Sequence, residues 1–301
     1  MVFGFNLMAT KIRLLSAFGK STSSLRSLRW SSSQSTSNEV LGRELYLNNQ
    51  VVRLIFNSPK NRNALSLDFM SLLHKELTEI DKIEKIRAVI LAAEGPAFSA
   101  GHNLKELTSE TGKQKHKEVF AKCTQLLSFI RQMQLPVIAE VEGVSAAAGT
   151  QLVSTCDVVV ASESATFSVP GLKAGLFCST PGIPLSRTIP HKLAMDMLLT
   201  ARSINAQEAL RAGLVSRVVS KGEARIEALR VAEDITKMSR SVTALGKAFY
   251  YTQSELRLSE AYRLGESVMT ENLKYKDCQE GIDSFIKKRQ PEWSHDDERV
   301  L

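Results

Sequence analysis

Ala97-Phe98-Ser99-Ala100-Gly101-His102-Asn103-Leu104 and Gly143-Val144-Ser145-Ala146-Ala147-Ala148-Gly149-Thr150-Gln151 are the two stretches that decide the reading of this chain. Each follows a short apolar run, 88–92 and 136–141, of the length and composition of a buried strand, and each leads into residues with a helical period. A strand-to-helix turn built from small residues leaves backbone N–H groups free, because the first turn of a helix offers them no intrahelical acceptor. Two such turns facing each other hold one oxygen between two donors, which is the arrangement of an oxyanion hole.

Outward from these turns the pattern alternates strand with helix. Residues 44–47 and 51–56 read as a hairpin around Asn48-Asn49-Gln50, and Asn57-Ser58-Pro59 stops the second strand. A helix is expected from Ser66, its cap, to about residue 84, with Phe69, Leu72, Leu73, Leu77 and Ile80 on one face. Another follows at 116–133, a third runs from the second glycine stretch to Cys156, and strands are expected at 157–161 and 165–168. The class is therefore α/β, a sheet with crossover helices. From 190 onward the pattern is almost wholly helical (190–201, 206–212, 222–239, 242–254, 257–272, 277–289), interrupted by a strand-like 214–219. The expected organisation is a leader over 1–38, an α/β core over 39–220 and a helical region over 221–301. Ile226, Leu229, Val231, Ile235 and Met238 place apolar side chains on several helical faces, so that region is expected to pack on the body or on another subunit.

Composition narrows the class further. The 301 residues are 43% hydrophobic and 24% charged, with a formal charge of +7. Five basic residues (Lys11, Arg13, Lys20, Arg26, Arg29) and no acid lie within 1–38, and the rest of the chain is nearly neutral. The basicity thus belongs to the leader and gives no reason to expect a nucleic-acid partner. A Ser-, Arg- and Leu-rich leader without acids has the profile of a mitochondrial transit peptide, and Lys11, Arg13 and Lys20 break every candidate for a secretory core. No stretch approaches the ~20 apolar residues of a membrane span. Cys123, Cys156, Cys178 and Cys278 and the five histidines show no metal-ligand spacing, and no phosphate-binding glycine motif occurs, so neither a metal nor a tightly bound cofactor is expected.

Arg62-Asn63-Ala64-Leu65-Ser66, Phe98 to Leu104, Pro136 to Gly143, Cys156-Asp157, Phe167-Ser168-Val169-Pro170, Ala206-Gln207-Glu208-Ala209 with Gly213-Leu214-Val215, and Glu280-Gly281 with Phe285 and Lys288-Arg289-Gln290-Pro291 occur in one order along 44–292. Together they resemble the crotonase (enoyl-CoA hydratase/isomerase) superfamily. That resemblance implies a crotonase (ClpP/crotonase-like) spiral of βαβ units with a C-terminal helical trimerisation region, assembling as homotrimers or hexamers, in the mitochondrial matrix and in fatty-acid metabolism. It implies an acyl-CoA thioester as ligand, with coenzyme A entering only as part of it. By the same resemblance the oxyanion-hole donors are the backbone N–H groups of His102 and Ala148. Arg62, Ala64, Leu65, Ala100, Asn103 and Leu104 fall in the segments that hold CoA.

The chain departs from the family pattern at the two positions of the catalytic glutamates, which fall on Gln151 and Gly171. An amide exchanges no proton near neutral pH and glycine has no side chain, so hydration by the usual pair is not expected. Two alternatives follow: decarboxylation of a malonyl- or methylmalonyl-type CoA, in which His102 is a candidate participant, or binding of acyl-CoA without turnover. Cys178 is expected to be pocket wall, Glu142 and Glu163 structural, and the lysines of 105–117 a solvated face.

Overall fold

The computed structural model describes residues 35–37 and 40–300, so the leader read over 1–38 lies, apart from Ser35–Ser37, outside the described residues. The strands are β1 (Ser35–Ser37), β2 (Leu41–Tyr46), β3 (Val51–Phe56), β4 (Ala88–Ala93), β5 (Ala97–Ser99), β6 (Val137–Val141), β7 (Val144–Ala146), β8 (Val158–Ser162), β9 (Thr166–Ser168), β10 (Ser203–Asn205) and β11 (Arg217–Val219). The helices are α1 (Leu67–Asp81), α2 (Gly112–Gln132), α3 (Ala148–Thr155), α4 (Ser179–Thr188), α5 (His191–Thr200), α6 (Ala206–Ala212), α7 (Ala224–Thr236), α8 (Arg240–Gln253), α9 (Leu258–Asn272) and α10 (Lys276–Ile286).

Two sheets result. A seven-stranded sheet runs β1-β2-β3-β4-β6-β8-β11, antiparallel at its β1–β3 end and parallel from β3 onward. A four-stranded sheet runs β10-β9-β7-β5. After a short turn, β4 hands on to β5, β6 to β7 and β8 to β9, so each winding of the chain gives one strand to each sheet. This is the spiral the resemblance implied.

The central strands β3, β4, β6 and β8 are mainly apolar and buried on both faces, as parallel strands covered on both sides require. All six residues of β3 are buried, and α7 packs on β4, β6 and β8. One ion pair is buried among them. The guanidinium of Arg53 donates from Nε to Glu140 Oε2 (2.8 Å) and from NH2 to Glu140 Oε1 (2.7 Å), reaching across β4, and from NH1 to Glu44 Oε2 (3.0 Å). Such a pair holds a strand register because a slip leaves a charge unpaired in the interior.

The helical region is fastened to the body through α8. Lys247 Nζ donates to Asp157 Oδ2 (2.7 Å), Leu135 O (2.8 Å) and Ile130 O (2.9 Å), and Tyr251 Oη donates to Asp157 Oδ1 (2.7 Å). Its outer face stays apolar: Phe285 is 82% exposed, and Ile286, Met269, Tyr262 and Leu258 are exposed with it.

Helix α4 lies in a stretch to which the sequence analysis assigns no element. Pro181 stands in its first turn, where no N–H is needed, and Pro184 is the one proline inside it. The two prolines are what hide this helix from a propensity reading. Helix α2 starts at Gly112, ahead of the expected 116, after 3-10 turns at Leu104–Leu107 and Ser109–Thr111.

Candidate functional site

The two glycine stretches are brought side by side. Strand β5 pairs in parallel with β7 (Ala97 with Val144, Ser99 with Ser145), and the chain leaves both strands at the same edge. The two stretches touch at Gly101. It has φ +90°, and a Cβ there would stand 2.8 Å from Ala147 Cβ and 3.0 Å from Ala148 N, so only glycine fits. Ala147 carries the strain of the second turn, with φ +49° and ψ −119°, a conformation that costs an alanine free energy unless its surroundings impose it. They do so: Ala147 N–H donates to Ser168 O (2.9 Å). Thr150 Oγ1 lies 2.8 Å from Ser145 O and 2.9 Å from Ser168 O, and accepts the Ser168 N–H (3.3 Å). Helix α3 is thereby fixed to β7 and β9, with Ala148 as its first residue. Neither the His102 N–H nor the Ala148 N–H has a protein acceptor among the described residues.

Both residues line one cavity of about 560 Å³. Ala100, Leu104, Leu107, Phe120 and Ala147 complete one part of its wall, and Pro170 through Pro181 supply the rest, with Gly171, Lys173, Leu176, Phe177 and Cys178 prominent. The lining is mainly apolar, with a few polar groups, as in small-molecule sites.

His102 is part of this wall. Its Nδ1 lies 3.4 Å from Leu65 O, the ring meets Phe120 edge to face at 5.4 Å, and Nε2 is buried without a partner. Burial holds its pKa below the ordinary imidazole value, while the Leu65 carbonyl acts weakly the other way and no charged neighbour enters. The ring is neutral at pH 7.

Of the residues singled out from the sequence, His102, Ala148, Gly171, Ala100 and Leu104 meet at the cavity. Gln151 is not on its wall. It is 5% exposed, on the first turns of α3, with its Oε1 unpartnered. Arg62 is exposed in a left-handed turn (φ +51°), and its carbonyl accepts the Ala100 N–H (2.9 Å). Ala64 and Leu65 follow in the same turn, and Leu65 N–H donates to Gly101 O (2.8 Å). Asn103 caps the 3-10 turn that follows it, accepting Lys105 N–H at 3.2 Å.

Asn63, 2% exposed, fastens this loop: its Oδ1 accepts Ser58 N–H (2.8 Å), and its Nδ2 donates to Ala97 O (2.7 Å) and Glu94 O (2.9 Å). The sequence quoted Asn63 only within the motif, and an asparagine beside left-handed turn residues was the available signal. Phe120 and Leu107 were missed because nothing local marks them.

Gly171 leaves no room for any side chain. A Cβ there would stand 2.1 Å from Leu176 O and 2.7 Å from Cys178 Sγ. Its N–H donates to that sulfur at 3.2 Å, and its carbonyl accepts Leu176 N–H at 3.0 Å. Burial pushes the Cys178 thiol up, and the Gly171 N–H opposes this in part. Glu142 accepts the N–H groups of Gly222 (3.1 Å) and Ala224 (3.0 Å), and so caps α7.

A sequence model of the enoyl-CoA hydratase/isomerase family matches residues 47–296. The chain belongs to that family. Enoyl-CoA hydratase domain-containing protein 3, mitochondrial, of Rattus norvegicus is 47% identical over 242 residues, which cover 80% of this chain and 81% of that protein. The Xenopus laevis protein of the same name is 49% identical over 243 residues, 81% and 83% of the two chains. The crystal structure of human enoyl coenzyme A hydratase domain-containing protein 3 superposes with a TM-score of 0.80 at 42% identity, covering 86% of this chain and 99% of that one. The fold of this hydratase/isomerase family member is thus the expected one. Among the described residues no helix is long and apolar enough to cross a membrane.

Proposed function

We propose that the protein binds acyl-CoA thioesters and polarises the thioester carbonyl between the backbone N–H groups of His102 and Ala148. One observation carries this reading: two residues whose N–H groups have no protein acceptor, one of them opening a helix, line a single largely apolar cavity. Removing one such donor typically costs about 10²–10³ in rate. CoA is held by the Arg62–Leu65 loop and the Ala100–Leu104 turn, and the acyl chain occupies the space between Leu107, Phe120, Leu176 and Phe177.

Hydration by a glutamate pair is absent from this reading, since Gln151 lies off the cavity wall and position 171 has no space for a side chain. The wall also disfavours a malonyl-type carboxylate, because Lys173 is its only formal cation and is exposed. The relatives named mitochondrial support import by the basic leader and a place in fatty-acid metabolism. The apolar outer face of α9 and α10 supports a homotrimer or hexamer, which light scattering of the mature protein reads directly.

The test of the binding reading is calorimetry with butyryl-CoA alongside turnover of crotonyl-CoA and methylmalonyl-CoA. Saturable butyryl-CoA binding without ordinary hydratase rates is expected. Absence of binding overturns the reading, and fast crotonyl-CoA hydration overturns its account of Gln151 and Gly171.

A further inference from the structure

We infer that this site takes medium- to long-chain aliphatic acyl thioesters, selected by the length of hydrocarbon that Leu104, Leu176 and Phe177 cover at the mouth of the cavity. The inference rests on the acyl-CoA reading above and deepens it, naming the acyl class that the reading leaves open.

Gly171 is the pivot. Because it has no side chain, the 171–178 segment folds back onto it. Leu176 N–H donates to Gly171 O (3.0 Å), Gly175 N–H to Leu172 O (3.0 Å), and Gly171 N–H to Cys178 Sγ (3.2 Å). A Cβ at 171 would run into the Leu176 carbonyl, so the segment closes in this way only around glycine. The closed segment brings Leu176 and Phe177 to the cavity, and Leu104 joins them from the other part of the wall. All three line the cavity and are exposed as well. The position read from the sequence as that of a family glutamate has thus given its place to an apolar loop.

Apolar side chains that line a cavity and also meet water mark a surface that a ligand covers. The polar groups of the 170–181 wall point the same way. Lys173 is the only formal cation and is exposed, Cys178 Sγ is taken by the Gly171 N–H, and Ser179 Oγ donates to Phe177 O (3.4 Å). Thr180 carries the one other hydroxyl of this wall. A carboxylate along the acyl chain finds no buried charged partner here, and burying a charge unpaired is costly. Beyond the thioester carbonyl, recognition is left to hydrocarbon, which is recognised by the area it buries. The cavity of about 560 Å³ exceeds what a short acyl group fills, and a chain that fills it and goes on to cover the rim is a longer one.

The test is calorimetry of the mature protein with butyryl-, hexanoyl-, octanoyl- and decanoyl-CoA. A fully buried methylene is worth about fourfold in affinity, and one half-covered on the rim about twofold, so affinity is expected to rise by about two- to fourfold with each methylene up to decanoyl-CoA. The ratio of decanoyl-CoA to butyryl-CoA affinity ties this rise to the rim. In the double variant Leu176→Ser, Phe177→Ser that ratio is expected to fall at least about tenfold. The variant keeps the backbone hydrogen bonds of the loop, and its circular dichroism should match that of wild type. Leu104→Ser should lower the ratio in the same direction. A wild-type ratio below about tenfold overturns the inference and leaves the binding reading standing. So does a double variant whose ratio equals that of wild type. Failure of wild type to bind any of the four thioesters overturns both.

Discussion

The Gly171 N–H donates to Cys178 Sγ at 3.2 Å, and the sulfur lies 2.7 Å from the point where a side chain on residue 171 would begin. The thiol and the Leu176 carbonyl together occupy the place from which a catalytic carboxylate would extend. Restoring a glutamate at 171 therefore meets backbone, which cannot rotate away as a side chain can. Gly171→Glu is expected to destabilise the fold by about 2–4 kcal/mol, in the range of severe steric substitutions. Urea denaturation measures it, and a Gly171→Glu protein as stable as wild type with hydratase activity gained would show that the 171–178 loop opens freely.

Asn63 ties the turn between β3 and α1 to β4 and β5 with three hydrogen bonds at a left-handed φ of +51°. Asn63→Ala leaves the Ser58 N–H and the Glu94 and Ala97 carbonyls unpaired and puts an alanine in a conformation it disfavours. A loss of about 2–4 kcal/mol is expected by denaturant titration, with weaker butyryl-CoA binding because this loop carries Ala64 and Leu65. Unchanged affinity would remove the loop from the ligand site.

Asp277 governs the C-terminal segment. Burial pushes its carboxyl up, but hydrogen bonds from Ser239 and from the Ser294 hydroxyl (2.8 Å), Ser294 N–H (2.7 Å) and His295 N–H (3.0 Å) together outweigh burial and hold it below its ordinary value. A carboxyl lowered in the folded state contributes stability that is present above its unfolded pKa of about 3.9 and is lost as pH falls through the folded value. Acidification below about pH 4 is therefore expected to release the segment, broken at Trp293 Nε1, which donates to Lys237 O at 2.7 Å. Trp293 fluorescence follows this, and Asp277→Asn should abolish the acid step by removing the titrating group.

The α/β alternation, the first helix with its Ser66 cap and the meeting of the two glycine turns were legible because each rests on local signals. Buried apolar runs, a capping serine that accepts Phe69 N–H, and small residues beside glycine all sit next to one another in the chain. Strands β5, β7 and β10 were not legible as strands, since Ala97–Ser99, Val144–Ala146 and Ser203–Asn205 are short and mostly small or polar, and their pairing depends on neighbours far along the chain. Helix α4 was masked by Pro181 and Pro184. The site was half legible. His102 and Ala148 stand in the quoted turns, whereas Phe120 comes from the middle of α2. The orphaned His102 Nε2 and the closed space at Gly171 exist only once α2 and the 170–181 segment have packed.

Removing a donor is the complementary perturbation. Ala148 is the first residue of α3, a position that tolerates proline. Ala148→Pro deletes its N–H and is expected to weaken butyryl-CoA binding by about 1 kcal/mol, the net worth of one hydrogen bond. Circular dichroism must show the helical content retained. Full affinity in that variant would remove Ala148 from the hole.

The most direct measurement is the infrared stretch of a ¹³C-labelled thioester carbonyl in butyryl-CoA bound to the wild-type protein. Two N–H donors on one oxygen weaken the C=O bond, so the band should move to lower frequency than in water. The shift should persist in His102→Gln, which keeps both N–H groups, and shrink in Ala148→Pro. A bound thioester whose carbonyl band stays at its aqueous frequency would contradict the account.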